Sequence, residues 1–231
     1  MFINFDILII RHYELFELIS SAGRDINDGH FIGDRDDQNY PLPSDPTLRV
    51  VYENEEPTND QIDNLQPFNI KSALGKPESE WELRHFLIDG SMLSKSCQGA
   101  LMLAGFEKDI QKNAYNLGKH WSLAWQAFMD LEPFKMNELP SNTHLNLVSA
   151  PVLFHLDHDP TLYEEIKKGS DSVDDIDYHL LHREIMKGPG IEKTRELQGK
   201  HSLKAMTELY KFPQSECRQA MENIILAMQE D

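Results

Sequence analysis

Apolar residues recur at offsets of three and four through residues 113–134, at Leu117, Trp121, Ala124, Trp125, Phe128 and Leu131. This spacing predicts an amphipathic helix with one broad buried face, running from about Lys108 and ending near Pro133. The same periodicity appears upstream, where Ile10, Tyr13, Phe16, Leu18 and Ile19 predict a helix over residues 7–23, with Gly23 as its terminator. Downstream of Pro77 the pattern predicts helices throughout. They cover Glu78–Phe86, then Ile88–Ala104 up to Gly105, then Asn142–Leu156 with a bend at Pro151. Shorter helices follow at Thr161–Lys168 and Ser172–Lys187, each opening on a Thr or Ser able to cap. Gly188, Pro189 and Gly190 break the chain, and Ile191–Tyr210 and Pro213–Gln229 close it. Strand signals are nearly absent and no internal repeat is visible, so the expected class is all-α.

Between the first helix and Pro77 the periodicity is lost. Residues 24–63 hold eleven acidic residues against three arginines, and Pro41, Pro43, Pro46 and Pro57 forbid a continuous helix. The chain therefore divides into an apolar helical segment (1–23), an acidic, proline-rich connection (24–76) and a helical bundle (77–231). Within the connection, Arg49–Tyr52 reads as a short extended stretch. Glu53, Glu55 and Glu56 read as solvated loop charges in preference to a metal set.

Composition narrows the function classes. The 231 residues, 40% hydrophobic and 26% charged, suffice for a substantial core. A formal charge of −17 disfavours nucleic acid and anionic lipid as partners, because both need clustered Lys and Arg. Cys97 and Cys217 lie far apart, outside any CxxC pair, and both are expected to be reduced and buried. No run of 18 apolar residues exists, so no transmembrane segment is expected. The opening MFINFDILII contains Asp6 and lacks a basic flank, so it reads as a core segment, not a targeting peptide.

Several strings carry a family resemblance. In the central helix, Ala124-Trp125-Gln126 leads into Asp130. Near the end come Gly190-Ile191-Glu192-Lys193-Thr194, Ala205, Leu209, Pro213, Ser215 and Arg218. FIGDRDDQNYPLP (31–43), DGSMLSKSCQGALMLAG (89–105), YNLGKH (115–120) and LNLVSAPVLFHL (145–156) complete the set. Together, and most fully from Trp81 onward, these resemble the trans-polyprenyl diphosphate synthases. Within them they fit the branch of partner subunits of heteromeric enzymes that make the ubiquinone side chain. The resemblance implies an isoprenoid-synthase-type helical bundle. It also implies family helices upstream of the segment matching residues 7–23, so the chain is expected to lack the first of them.

The chemistry of that family exposes what this chain changes. Chain elongation ionises an allylic diphosphate. Its leaving group needs Mg²⁺ held by carboxylates, with Lys and Arg beside it. A DDxxD spacing places its first and last carboxylates on one helical face. Here Asp36-Asp37 meets Tyr40 at the last position, and Asp174-Asp175 meets Tyr178. The segment resembling the second aspartate motif reads Met129, Asp130, Leu131, Glu132, Pro133, with one aspartate of three. Asp89-Gly90 stands where catalytic members carry Lys-Thr, and Leu147 stands where they carry a Lys four residues before Pro151.

By resemblance, then, the chain has no catalytic residue of its own and binds no metal or cofactor alone. Mg²⁺ is expected on a catalytic polyprenyl diphosphate synthase subunit with which it forms a heteromer, in the mitochondrion. Trp121, Trp125 and Phe128 are expected in an isoprenoid tunnel or a subunit interface, with plain core packing weighed equally against both. Residual Mg²⁺ binding by Asp130 and Glu132 is weighed against a structural role, which is favoured because the pair lacks clustered ligands. In the HLDHD string (155–159), helix capping is favoured over metal binding. Lys119 and His120 read as vestigial or interface residues. Two other readings stay open: an autonomous prenyltransferase whose first motif lies upstream, and a helical interaction module with no isoprenoid role.

Overall fold

The structure, a computed structural model, describes residues 13–47, 73–141, 143–170 and 172–229. Among the described residues the helices are, in chain order, α1 (Tyr13–His30), α2 (Pro77–His85), α3 (Ser91–Leu103), α4 (Lys108–Leu131), α5 (Ala150–His158), α6 (Tyr163–Lys167), α7 (Tyr178–Lys187), α8 (Gly190–Leu209) and α9 (Glu216–Ala227). A single π-helical turn, Phe86–Gly90, joins α2 to α3, and short 3-10 turns link the later helices. Among the described residues there is no strand, only one isolated antiparallel bridge between Arg35 and Pro41. The fold is all-α. No helix among them is long and apolar enough to cross a membrane.

The chain forms two compact units. One comprises the described residues of 1–30, 85–125 and 198–231, the other those of 31–84 and 126–197. α4 and α8 each supply residues to both.

In the first unit α1 packs antiparallel on α3. Asp25 accepts from Ser91 Oγ and Lys95 Nζ, and a Cβ at Gly99 would lie 2.7 Å from Leu15 Cδ1. Gly23 does not end α1, contrary to the sequence reading. It is exposed, nothing lies within 4 Å of its Cβ position, and the helix runs seven residues further to His30. Glycine inside a helix costs only about 1 kcal/mol relative to alanine. Burial of Leu18, Ala22 and Gly29 along one face carries α1 past it. Gly105, at φ +77°, does stop α3, as expected.

The second unit is built on an apolar cluster that includes Leu42, Phe134, Leu145, Leu147, Val152, Leu156, Ile166, Leu181 and Ile185. The expected helix over 142–156 begins only at Ala150, and Pro151 lies in its first turn, so it bends nothing. Proline's fixed φ suits that position, where its missing N–H has no helical partner to lose. Aspartates, not Thr or Ser, cap the next elements. Asp159 accepts from Thr161 N at 3.1 Å and Asp177 from Leu180 N at 2.9 Å.

The described part of the acidic connection holds two buried apolar side chains, Ile32 and Leu42. Asp36, itself buried, accepts from the backbone of Gln38 and Tyr40, and Asp37 accepts from Val173 N. Among the described residues neither carboxylate belongs to a metal set. Arg49–Tyr52, the Glu53, Glu55, Glu56 triplet and Ile10 lie outside the described residues. Cys217 is exposed on α9, against expectation. Cys97 is half-buried, and burial pushes its thiol pKa up.

Candidate functional site

The five positions that resemble the second aspartate motif straddle the end of α4 and the 3-10 turn Glu132–Phe134. A helix places residues i and i+3 on one side only while its geometry holds. Here Pro133 forces the chain into a tighter turn, and the five side chains part company. Met129 is exposed, and Leu131 is buried. Glu132 is paired with Lys135 at 3.0 Å, both side chains about two-fifths exposed. The Pro133 carbonyl meets His182 Nε2 at 3.1 Å, with the His182 ring stacked on Phe134 at 5.2 Å.

Asp130 alone turns inward, 5% exposed. Its Oδ2 accepts two hydrogen bonds at 2.8 Å, from Trp81 Nε1 and from the backbone N–H of Ala150. Its Oδ1 accepts from Gln126 Nε2 at 2.8 Å, one helical turn back on α4. The carboxylate thus joins α2, α4 and the start of α5. Both oxygens are engaged by neutral donors, and Ala150 brings the positive end of a helix dipole to the negative group.

This arrangement does not fit Mg²⁺. The ion asks for several oxygens converging at about 2.0–2.1 Å, usually with water completing an octahedron. Asp130 is enclosed, Glu132 points to solvent, and among the described residues no group of three or more His, Cys, Asp or Glu side chains converges.

The remaining sequence candidates scatter. Leu147 is buried in the apolar cluster, where a lysine would need a partner, and Asp89 is exposed on the π-helical turn. The expected core face of α4 is rotated. Leu117, Leu123, Ala124, Ala127 and Leu131 are buried, whereas Trp121 and Phe128 are half-buried and Trp125 is 48% exposed. Lys135 sets its ammonium 4.9 Å from the Phe128 ring centroid.

Lys119 is buried near the Phe86 ring, and His120 Nδ1 lies 3.0 Å from His201 Nδ1. Among the described residues the HLDHD string joins no group that could hold a metal. His155 is buried, His158 sits edge-on to it, Asp157 faces Lys193 at 3.5 Å and Asp159 caps the following turn. Trp81 and the Ala150 amide escaped the sequence reading, since contacts spanning 49 and 20 residues leave no local signal. The Gln126–Asp130 spacing of four was available as one.

No protein-family model matches the chain. Curated proteins do. The human all trans-polyprenyl-diphosphate synthase PDSS2 is 35% identical over 156 residues, which is 65% of this chain and 38% of the human protein. A probable mitochondrial hexaprenyl pyrophosphate synthase from Yarrowia lipolytica is 30% identical over 62% of this chain and 32% of its own length. Among solved structures, a decaprenyl diphosphate synthase from Rhodobacter capsulatus superimposes with TM-score 0.64 at 15% identity, covering 94% of this chain and 59% of that one.

Its relatives are polyprenyl diphosphate synthases. The chain resembles the second-subunit branch of them, spans about two-fifths of the human relative's length and has their isoprenoid-synthase fold. On that fold, the window resembling the second aspartate motif turns one of its two carboxylates inward, and protein donors already surround it.

Proposed function

We propose that the chain acts as the non-catalytic partner subunit of a heteromeric trans-polyprenyl diphosphate synthase that makes the ubiquinone side chain in mitochondria. Mg²⁺ and both diphosphates are held by the catalytic subunit. This chain stabilises that subunit and shapes its product tunnel.

One observation carries the reading. The single aspartate kept in the motif is enclosed by Trp81, Gln126 and the Ala150 amide, so a synthase-like body lacks its own metal grip here. The replaced cations support it. Leu147 is buried among apolar side chains, and Asp89 presents a negative charge where a diphosphate would need a positive one.

Co-expression tests the proposal. The chain is produced with and without a polyprenyl diphosphate synthase subunit that carries both aspartate motifs. The mixture is then run on gel filtration and assayed with farnesyl and isopentenyl diphosphates and Mg²⁺. The expected result is co-elution, with long-chain product formed by the pair and none by this chain alone. Elongation by the purified chain would establish an autonomous enzyme instead. Failure to co-elute would leave a helical module without an isoprenoid role.

A further inference from the structure

α5 begins in an unusual way. Its N-cap, Ser149, has the extended backbone expected of a cap (φ −68°, ψ 154°), yet its hydroxyl makes no capping bond. Pro151 contributes no N–H. The first-turn amide of Ala150 is instead taken by Asp130, twenty residues upstream on another helix. A helix N-terminus favours an anion, because unpaired amides and the aligned peptide dipoles both point at it. In this chain the anion at that place is the protein's own carboxylate.

We infer that Asp130 is a positioning residue that acts as the remote N-cap of α5 and as the hydrogen-bond hub for Trp81 and Gln126, and that this role withdraws it from divalent cations and diphosphate. The mismatch between Asp130 and Mg²⁺ geometry then has a physical cause. With Oδ2 taking two donors and Oδ1 a third, a metal ion would have to displace buried hydrogen bonds. The Trp81 and Ala150 donors, both buried, would then be left unsatisfied. The inference rests on contacts within one compact unit and holds whether or not the chain joins a synthase.

Two readouts on the full chain test it. Thermal midpoints are measured for the wild type, Asp130→Asn, Trp81→Phe and the double variant. Bound Mn²⁺, a Mg²⁺ surrogate with a paramagnetic signal, is measured in the presence of inorganic pyrophosphate. The Asn variant is expected to lower the midpoint by roughly 5–10 °C, because its amide NH₂ meets donors where the carboxylate accepted. Trp81→Phe should then add little in the Asn background. Mn²⁺ occupancy should be equal in the wild type and the Asn variant. A lower occupancy in Asp130→Asn, or full additivity with Trp81→Phe, overturns the inference. Should Asp130→Asn fail to fold, Trp81→Phe and Gln126→Leu carry the test. Each removes one donor to the same carboxylate, so their effects should be non-additive, and additivity would overturn the inference equally.

Discussion

Arg84 grips Glu80 through two nitrogens, Nε at 3.0 Å and Nη2 at 2.8 Å from Oε1, with both side chains 2% exposed. The pair is one helical turn apart on α2, but its work is long-range. Arg84 Nη1 donates to the Ile32 carbonyl and Nη2 to the Leu42 carbonyl, while Glu80 accepts from Ser44 N and Gly75 N. An ordered stretch of the acidic connection is thus stapled to α2. The approach is so close that a Cβ at Gly33, where φ is +68°, would sit 2.7 Å from Arg84 Nη2.

Breaking such a pair by removing one partner leaves a buried charge uncompensated, a loss of about 3–5 kcal/mol. Arg84→Met is therefore expected to destabilise the chain by that amount in urea titrations. Arg84→Met/Glu80→Gln should recover part of the loss, since the second change neutralises the stranded carboxylate. If Arg84→Met loses under about 1 kcal/mol, the pair behaves like a solvated surface bridge and the stapling argument fails.

Two glycines in helices should answer alanine with opposite signs. A Cβ at Gly118 on α4 would stand 2.8 Å from Ser94 Cα and 2.9 Å from the Leu93 carbonyl oxygen, which are backbone atoms of α3 that cannot rotate aside. The small residue sets how closely the two helices approach. Gly118→Ala is expected to cost about 1–3 kcal/mol through overpacking, outweighing the gain of about 1 kcal/mol in helix propensity. Gly199 on α8 has nothing within 4 Å of its Cβ position, so Gly199→Ala keeps the propensity gain and should stabilise by up to about 1 kcal/mol. Denaturant midpoints of the two variants, taken side by side, decide the matter. Two shifts in the same direction would contradict it.

Helix periodicity was legible because it is local. The expectation of a helix from Lys108 to Leu131 matches α4, and Gly105 stops α3 as expected. Periodicity gives the helix but not the exact angle of its buried face. Here the alanines, not the tryptophans, face inward, because helix spacing is set by the backbone contacts that small residues permit. Gly23 shows a limit of another kind. A terminator signal states a local cost, and burial on the opposite face of α1 overrode it. That residues 129–133 hold a single aspartate was visible in five letters. The use made of Asp130 was not, because two of its three partners come from α2 and α5.

His155 explains the glycine-proline-glycine break between α7 and α8 and gives the fold a pH dependence. Its imidazole is 4% exposed, and neither ring nitrogen has a hydrogen-bond partner. The chain passes directly over it, since a Cβ at Gly188 would lie 2.2 Å from His155 Nδ1, and one at Gly190 would lie 2.3 Å from the Pro151 carbonyl oxygen. Burial lowers the His155 pKa, with His158 adding to the shift while Asp159 and Glu184 oppose it. The folded state therefore holds the ring neutral at a pH where the unfolded chain, titrating near 6.5, already binds a proton. A depressed folded pKa means the stability contributed is complete above about pH 6.5 and is lost as the pH falls toward the folded value. Urea midpoints at pH 7.5 and 5.5 should show the wild type losing more stability on acidification than His155→Leu, which has no proton to gain. Equal losses in the two proteins would mean that His155 is not held neutral by its burial.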